Sequence, residues 1–512
     1  MVIGAGVGGL VAAACLARAG IPVTVLEAQN YLGGCAGTFY RQAYRFDAGA
    51  TVAAGFGPNG PMTALANWLG VDFGARMAKD IMRIHAPGKF ALTLPSTREL
   101  WHERRAEVFG QSREVEAFWA WQQRTADVAW SMSDHLPPWP ATSASEWMRC
   151  VGAALAVAAK RPATLARPNI VLDVKRPLSV HLPKGHDALR TFIDGLLLIT
   201  SQATSEAALA LYGAAALDFP WRGVAHLENG IGGLSETLAG AIRQAGGQIF
   251  TRSKASRIVR ERSAIVGVET TKGQFFPAEH VIANLTPWNI RELLDVGQGL
   301  LPEVLGKLDR PERDIEGAWG AMVVHAGVDE SVIDPNGPLH HQVHLGPPRG
   351  EGNTSFISVS PEWDRTRAPE GKRAVTITTH TKLSQWWAML ERDPDEYAFN
   401  KATYQDRLLE AAEVAIPGFR RGLHVAYAGT PVTYAHYTGR KAGWVGGMPQ
   451  TDLGNFFPAH LDFGLDMVGD AVFPGQSTLA VALSAIRVVG PLLERVGVEQ
   501  PLAAARQTAV GS

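Results

Sequence analysis

A run of glycines at the start of the chain restricts what can be built from it. Met1 to Ile3 reads as a short strand, Gly4-Ala5-Gly6-Val7-Gly8-Gly9 as a turn, Gly8 to Arg18 as a helix stopped by Gly20, and Val23 to Glu27 as a second strand. This is a βαβ unit with G-x-G-x-x-G at its turn and an acid closing its second strand. Gly4 allows the tight turn, Gly6 lets the backbone approach a pyrophosphate at the positive helix end, and Gly9 lets the helix lie close on the strand. Gly8 lies between them in the same turn. Glu27 is placed to accept hydrogen bonds from an adenosine ribose. Such first strands normally carry several apolar residues before the first glycine, so the native start is expected upstream of Met1.

With 512 residues, the chain exceeds one ordinary hydrophobic core and two domains are expected. Hydrophobic residues make up 46% while the formal net charge is only -1, so no long-range field gathers nucleic acid and no nucleic-acid partner is expected. Cys15, Cys35 and Cys150 share no C-x-x-C spacing. They read as buried thiols in a reducing cytoplasm, with neither a disulfide framework nor a zinc site. The uncharged stretch from Val2 to Ala17 lacks a basic leader, and its glycines suit a strand-turn-helix better than a membrane span. Cys150 to Ala159 is about half the length that crosses a bilayer.

Further along, residues 62 to 221 read as mostly helical, with a proline cluster at Pro137, Pro138 and Pro140. A second α/β signature starts at Gly230: a helix from Leu234 to Gln244, then strands at Gln248 to Thr251, Ala255 to Arg260, Ile265 to Thr270 and Val281 to Asn284. Residues 315 to 385 contain β-rich runs that read as a second sheet. From Val425 a strand-glycine-helix pattern returns and ends in the helix Leu479 to Val489. The expected fold class is α/β. A Rossmann-type nucleotide-binding domain is assembled from discontinuous segments 1–75, 222–290 and 425–512, and a substrate domain of mixed β-sheet plus helical insertion from 76–221 and 291–424.

Gly33-Gly34, following closely on Glu27, resembles the second glycine pair of the glutathione-reductase-like flavoprotein class and so implies FAD. Phe46-Asp47-Ala48-Gly49-Ala50-Thr51 is similar to the segment that passes the flavin ring in that class, although Asp47 alone reads as a turn acid. Val468-Gly469-Asp470, a glycine loop and an apolar helix repeat an anion-binding geometry. The resemblance gives Asp470 the ribityl chain and points the helix start at the flavin pyrimidine edge, where its dipole would stabilise reduced flavin. Gly429-Thr430-Pro431-Val432-Thr433, Tyr437-Thr438-Gly439-Arg440, Gly443-Trp444-Val445-Gly446-Gly447 and Gly469 to Gln476 narrow the resemblance to the bacterial phytoene desaturase and carotenoid isomerase family. Cofactor contacts are thereby implied at Gly4, Gly6, Gly8, Gly9, Glu27, Ala28, Gly33, Gly34, Ala255, Gly469, Asp470, Ala480 and Val481. Residues 76 to 190 match little.

What the resemblance implies is an FAD-dependent desaturase that moves a hydride from a long polyene to the flavin in an apolar tunnel, with oxygen or a quinone as electron acceptor. Phe118, Trp119, Trp121, Trp386 and Trp387 are candidates for the tunnel wall, although aromatic residues more often pack in cores. The expected location is cytoplasmic and peripherally membrane-associated, touching a membrane surface through residues between Trp147 and Ala159 or through Leu196 to Ile199. A redox-neutral carotenoid cis-trans isomerase, an amine oxidase and a prenyl-binding escort of the GDP dissociation inhibitor type remain alternatives. His340, His341 and His344 lack a metal-binding helix context, and no metal is expected. Arg440 and Lys441 read either as electrostatic aids to the flavin or as a solvated basic turn. No catalytic base is assigned.

Overall fold

The structure, a computed structural model, describes residues 1–160, 172–262, 264–295, 302–308, 318–462 and 464–502. The opening βαβ unit forms as the glycines require. Gly6 caps the helix Val7–Arg18 in an extended conformation, and Gly4 turns the chain with φ +91°. A Cβ at Gly9 would lie 2.2 Å from the Gly4 carbonyl oxygen, so only a bare α-carbon lets the helix close on its strand. That helix carries no polar face. It is buried from Val7 to Ala17, wedged between the helices Gly232–Gln244 and Thr478–Arg495.

Val2–Ile3 pairs in parallel with Thr24–Leu26 on one side and Val281–Ala283 on the other. They lie in a six-stranded sheet, ordered His460–Asp462, Leu465–Met467, Val281–Ala283, Val2–Ile3, Thr24–Leu26, Gln248–Phe250. Short, wholly apolar runs such as Val281–Ala283 suit a parallel sheet covered on both faces. A three-stranded antiparallel sheet, Ala255–Glu261, Ala264–Thr270 and Phe275–Pro277, packs beside it.

The second large sheet has seven strands in the order Leu423–Gly429, Trp319–Asp329, Lys372–Lys382, Thr354–Val359, His340–His344, Asp80–Ala86, Phe90–Pro95. One face, with Met322, Val324, Val343, Ile357, Val375 and Ile377, packs under the helix Pro394–Ala415 through Leu408, Ala411 and Ala412. Strand alternation puts Gln342, Phe356, Thr378 and His380 on the other face.

Two expectations change. Residues 62 to 221 are not uniformly helical, because Ala75–Met77, Asp80–Ala86 and Phe90–Pro95 are strands. Asp80–Ala86 joins the sheet in parallel with His340–His344, so its partner is remote in sequence and local pattern gave no hint of it. The strand beginning at Leu423 pairs with Trp319–Asp329 and extends the seven-stranded sheet, which places the boundary expected at 425 after Gly429.

Candidate active site

The glycine turn, Glu27 and the Gly469 loop converge on one point at the carboxyl edge of the six-stranded sheet, where Asn284 ends its central strand. A Cβ at Gly6 would stand 2.5 Å from Asn284 Nδ2, one at Gly8 3.0 Å from Asn284 Oδ1, and one at Gly469 2.9 Å from the same oxygen. The result is a backbone cradle without side chains around a single carboxamide. Gly33, at φ +102°, donates its N–H to Ala5 O at 2.8 Å, and Gly34 passes near the Gly6 α-carbon. Asn284 is a site residue that sequence reading missed; its only signal was a polar residue at the end of an apolar strand.

Glu27 borders the cradle. Its Oε2 accepts from Ala5 N and its Oε1 from Gln29 N, each at 2.8 Å. Burial pushes its pKa up, and the backbone N–H groups of Gln29, Ala5 and Ala28 pull against that shift. Ala28 is exposed next to it, whereas Ala255 is buried with Ile3 and Leu26 behind the cradle.

Asp470 accepts a bidentate pair of bonds from Arg440 Nη2, at 2.8 and 3.0 Å. Arg440 also lies over the Trp444 ring and bonds its carbonyl, so it is a half-buried anchor for this loop. Lys441 instead pairs with Glu292 at the surface, as a solvated basic turn would. The helix Thr478–Arg495 begins at Ser477, whose hydroxyl accepts from Ala480 N at 3.1 Å. Ala480 opens onto a large cavity and Val481 is half-buried behind it.

That cavity has a volume of about 660 Å³. Gly49 to Val52 and Gln476 to Ala480 form the wall nearest the cradle, and Val128, Trp130, Trp139, Cys150, Ala154 and Val157 the helical wall. Polar groups are few. Gln202 Nε2 lies 3.2 Å from His380 Nε2, and Gln342 Nε2 donates to Gly195 O at 2.8 Å. Burial holds the Cys35 thiol above its ordinary range, so it lines the cavity as a neutral group.

Several sequence expectations need correction here. Trp119 packs with Trp101, Phe109 and Phe192, Phe118 with Trp119 and Trp121, Trp121 stacks on His181, and Trp386 sits against Tyr397 and Tyr404. Trp387 bonds Ala442 O. None of the five lines the cavity, whose aromatics among the described residues are Trp130, Trp139, Tyr212, Phe219, Phe356, Tyr434 and Phe473. Leu196, Leu197 and Leu198 are buried and offer nothing to a membrane. Asp47 is a buried ion-pair partner: Arg367 Nη2 reaches its Oδ2 at 2.8 Å and Ile231 N its Oδ1 at 3.1 Å. Strand alternation sends His341 to the face opposite His340 and His344, so the three imidazoles do not converge.

The family of flavin containing amine oxidoreductases matches residues 7–457, a span that includes Gly8, Gly9, Glu27, Asn284 and most of the cavity wall, with Gly4 and Gly6 just ahead of it and Gly469 beyond it. The chain belongs to this family. Its cofactor is therefore FAD, and it is an FAD-dependent oxidoreductase. The bare cradle, the acid beside it and the second glycine pair fit an FAD diphosphate and ribose. Among curated relatives of this flavoenzyme, the chloroplastic prolycopene isomerase of Daucus carota is 28% identical over 98% of this chain and 80% of its own. The 4,4'-diaponeurosporene oxygenase of Staphylococcus aureus is 22% identical over 54% of this chain and 56% of its own. Both bear out the resemblance to carotenoid-related flavoproteins. An oxidoreductase from Methanosarcina mazei has the same fold, with a TM-score of 0.62 at 18% identity over 95% of this chain and 99% of its own. So does putrescine oxidase, with a TM-score of 0.61 at 13% identity over 97% and 98%.

Proposed function

We propose that this flavoenzyme desaturates a long acyclic polyene of the carotenoid class, bound in the large cavity. The cavity itself carries the reading. It joins the flavin-side segments Gly49–Val52 and Gln476–Ala480 to a mainly apolar helical wall, and its volume lies within the range of small-molecule sites. A flexible hydrocarbon without charged ends fits such a lining, because the described wall residues include no ionised side chain to pair with a charged substrate.

FAD, when bound, accepts the hydride. The chain's residues supply the rest. Gly4, Gly6, Gly8, Gly9, Gly33, Gly34 and Gly469 leave room for the diphosphate, and Asn284 offers it an amide. Glu27 takes the ribose, flanked by Ala28 and with Ala255 supporting the strand behind. Asp470, held by Arg440, takes the ribityl chain, while the helix start at Ala480 and Val481 faces the pyrimidine edge. The apolar wall excludes water from the reacting carbons. No second G-x-G-x-x-G unit that would hold a nicotinamide was read in the sequence, so oxygen or a quinone takes the electrons onward.

The substrate arrives from a membrane surface. No helix among the described residues is long and apolar enough to cross a membrane. The helix Ala144–Lys160, however, exposes Trp147, Met148, Val151 and Leu155 while Cys150, Ala154 and Val157 line the cavity. One helix thus has an apolar outer face and an inner face on the substrate site, as an interfacial helix that admits a lipid-dissolved substrate needs. Flotation with liposomes checks this: the protein should rise with lipid, and Val151→Asp with Leu155→Asp should leave it in the soluble fraction. Wild-type protein that stays at the bottom would remove the membrane from the account.

Redox-neutral cis-trans isomerisation of the same substrate class is the second reading, favoured by the name of the carrot relative that matches nearly the whole chain. Mass analysis of the product separates the two. Desaturation removes two hydrogens per new double bond, and isomerisation leaves the mass unchanged.

A further inference from the structure

Desaturation, the reading on which this inference rests, releases one proton for each new double bond inside a mainly apolar cavity, where Gln202 and His380 are already engaged with each other. Thr51 stands at the wall of that cavity. Its Oγ1 accepts a hydrogen bond from Ser358 Oγ at 2.7 Å, and Ser358 Oγ lies 2.8 Å from His340 Nδ1. Since the single Ser358 hydrogen goes to Thr51, the imidazole must be the donor of the second bond, which fixes the Nδ1–H tautomer and leaves Nε2 as an acceptor. His340 Nε2 is buried and has no hydrogen-bond partner among the described residues.

His340, Ser358 and Thr51 also line a second, polar cavity of about 20 Å³, together with Asp47, His226 and Arg367. That is room for roughly one water. The half-buried His226 ring rests against His340, with centroids 4.9 Å apart, and forms the outer end of the polar group. Cross-strand pairing accounts for the bond between His340 and Ser358, which face each other in the sheet. It does not account for the onward bond to Thr51, which lies outside the sheet, or for the unpartnered Nε2.

We propose that Thr51, Ser358 and His340 form a proton wire that carries the substrate proton from the apolar cavity to the polar cavity beside His226. In the step, two C–H bonds on adjacent carbons break. One carbon loses its hydrogen with the electron pair, as hydride, to oxidised FAD. The other loses a proton, and the pair it leaves becomes the new π bond. That proton goes to Thr51 Oγ1 as the Thr51 proton moves to Ser358 Oγ, the Ser358 proton to Nδ1, and the Nε2 proton to water. The present orientation, with Ser358 donating to Thr51, is the state after one passage. Turning the two hydroxyls and exchanging the imidazole proton between its nitrogens resets the wire. Burial, with His226 and His341 nearby, keeps this imidazole neutral, so the wire passes protons without storing a charge.

The test is anaerobic single turnover of the FAD-loaded protein with an acyclic carotenoid, in H₂O and in D₂O. Wild type should show a solvent isotope effect on bleaching. Ser358→Ala should bleach more slowly by about 10²-fold with unchanged FAD content, a typical loss when proton transfer is disabled, and Ser358→Thr should recover most of the rate. A Ser358→Ala protein that bleaches as fast as wild type in both solvents overturns the wire and leaves the desaturase reading intact. Wild type that forms no new double bond overturns the reading, and the wire is then judged by nitrogen NMR of His340. A continuous chain, whether it rests before or after a passage, predicts a His340 ring-nitrogen resonance that shifts on Thr51→Val, a substitution two hydrogen bonds away; an unmoved resonance overturns the wire.

Discussion

The six-stranded sheet and the interior of the seven-stranded sheet use histidine in opposite ways. In the six-stranded sheet, His280 and His460 flank Asp466, each at 2.8 Å, and the carboxyl is held below its ordinary range despite the opposing pull of burial. In the seven-stranded sheet, burial drives His325, His341 and His344 down to about 3 and His380 to about 4, so they stay neutral. His85 in the same sheet and His226 beside it fall to about 4 for the same reason. One half tolerates charge and offers bare backbone polar groups, as a diphosphate requires. The other half keeps its buried imidazoles uncharged, as a hydrocarbon site requires. The nucleotide site is accordingly made of backbone and the substrate site of side chains.

If the nucleotide half depends on backbone clearance, one branched side chain should ruin it. Gly6→Val is expected to abolish FAD retention, because the new side chain would enter the space already bounded by Asn284. A folded, soluble Gly6→Val protein that purifies yellow with stoichiometric flavin would refute the cradle. The seam between the halves should respond next most strongly. Arg367→Ala leaves the Asp47 carboxylate buried without its partner and should lower unfolding free energy by about 3–5 kcal/mol, measured by denaturant titration. Loss of less than about 1 kcal/mol would make the pair incidental.

Sequence reading served the two halves unequally for the same reason. Gly4 to Gly9, Glu27 and Gly469-Asp470 have to lie in a fixed order along short strands and turns, so their geometry is written locally. The seven-stranded sheet recruits Asp80–Ala86 from one end of the chain and Leu423–Gly429 from the other, and such pairings leave no local trace. The cavity wall likewise draws Trp130, Phe356 and Phe473 from three distant segments. Aromatic content therefore suggested an apolar site while naming the wrong aromatics. Asn284 and the Thr51–Ser358–His340 chain were hidden for the same cause, since each acquires its role only through neighbours remote in sequence.

Two smaller effects sharpen the contrast. Glu27→Ala should weaken FAD binding by about 1.5–3 kcal/mol, the worth of a charge-assisted hydrogen bond, and equilibrium titration of the apoprotein gives the figure. Unchanged affinity would reduce Glu27 to a tie between Ala5 and Gln29. Acid lability should track the neutral imidazoles. A histidine at about 3 when folded and 6.5 when unfolded contributes stability that is fully present above pH 6.5 and is lost as pH falls toward 3, because only the unfolded chain takes up the proton. His325→Phe should therefore shrink the stability difference between pH 7 and pH 5 by about 2 kcal/mol, read from denaturant midpoints at both pH values. An unaltered difference would mean that His325 charges inside the fold.

The central claim is that an apolar polyene meets the flavin in the large cavity and gives up two hydrogens there. Anaerobic mixing of FAD-loaded protein with an acyclic carotenoid, followed by absorbance, tests it most directly. The account predicts that the flavin band bleaches in one turnover while the polyene band moves to the red, since each added double bond lengthens the conjugated system. A flavin that stays oxidised, or that must be reduced beforehand and is not consumed while cis and trans forms interchange, would contradict it.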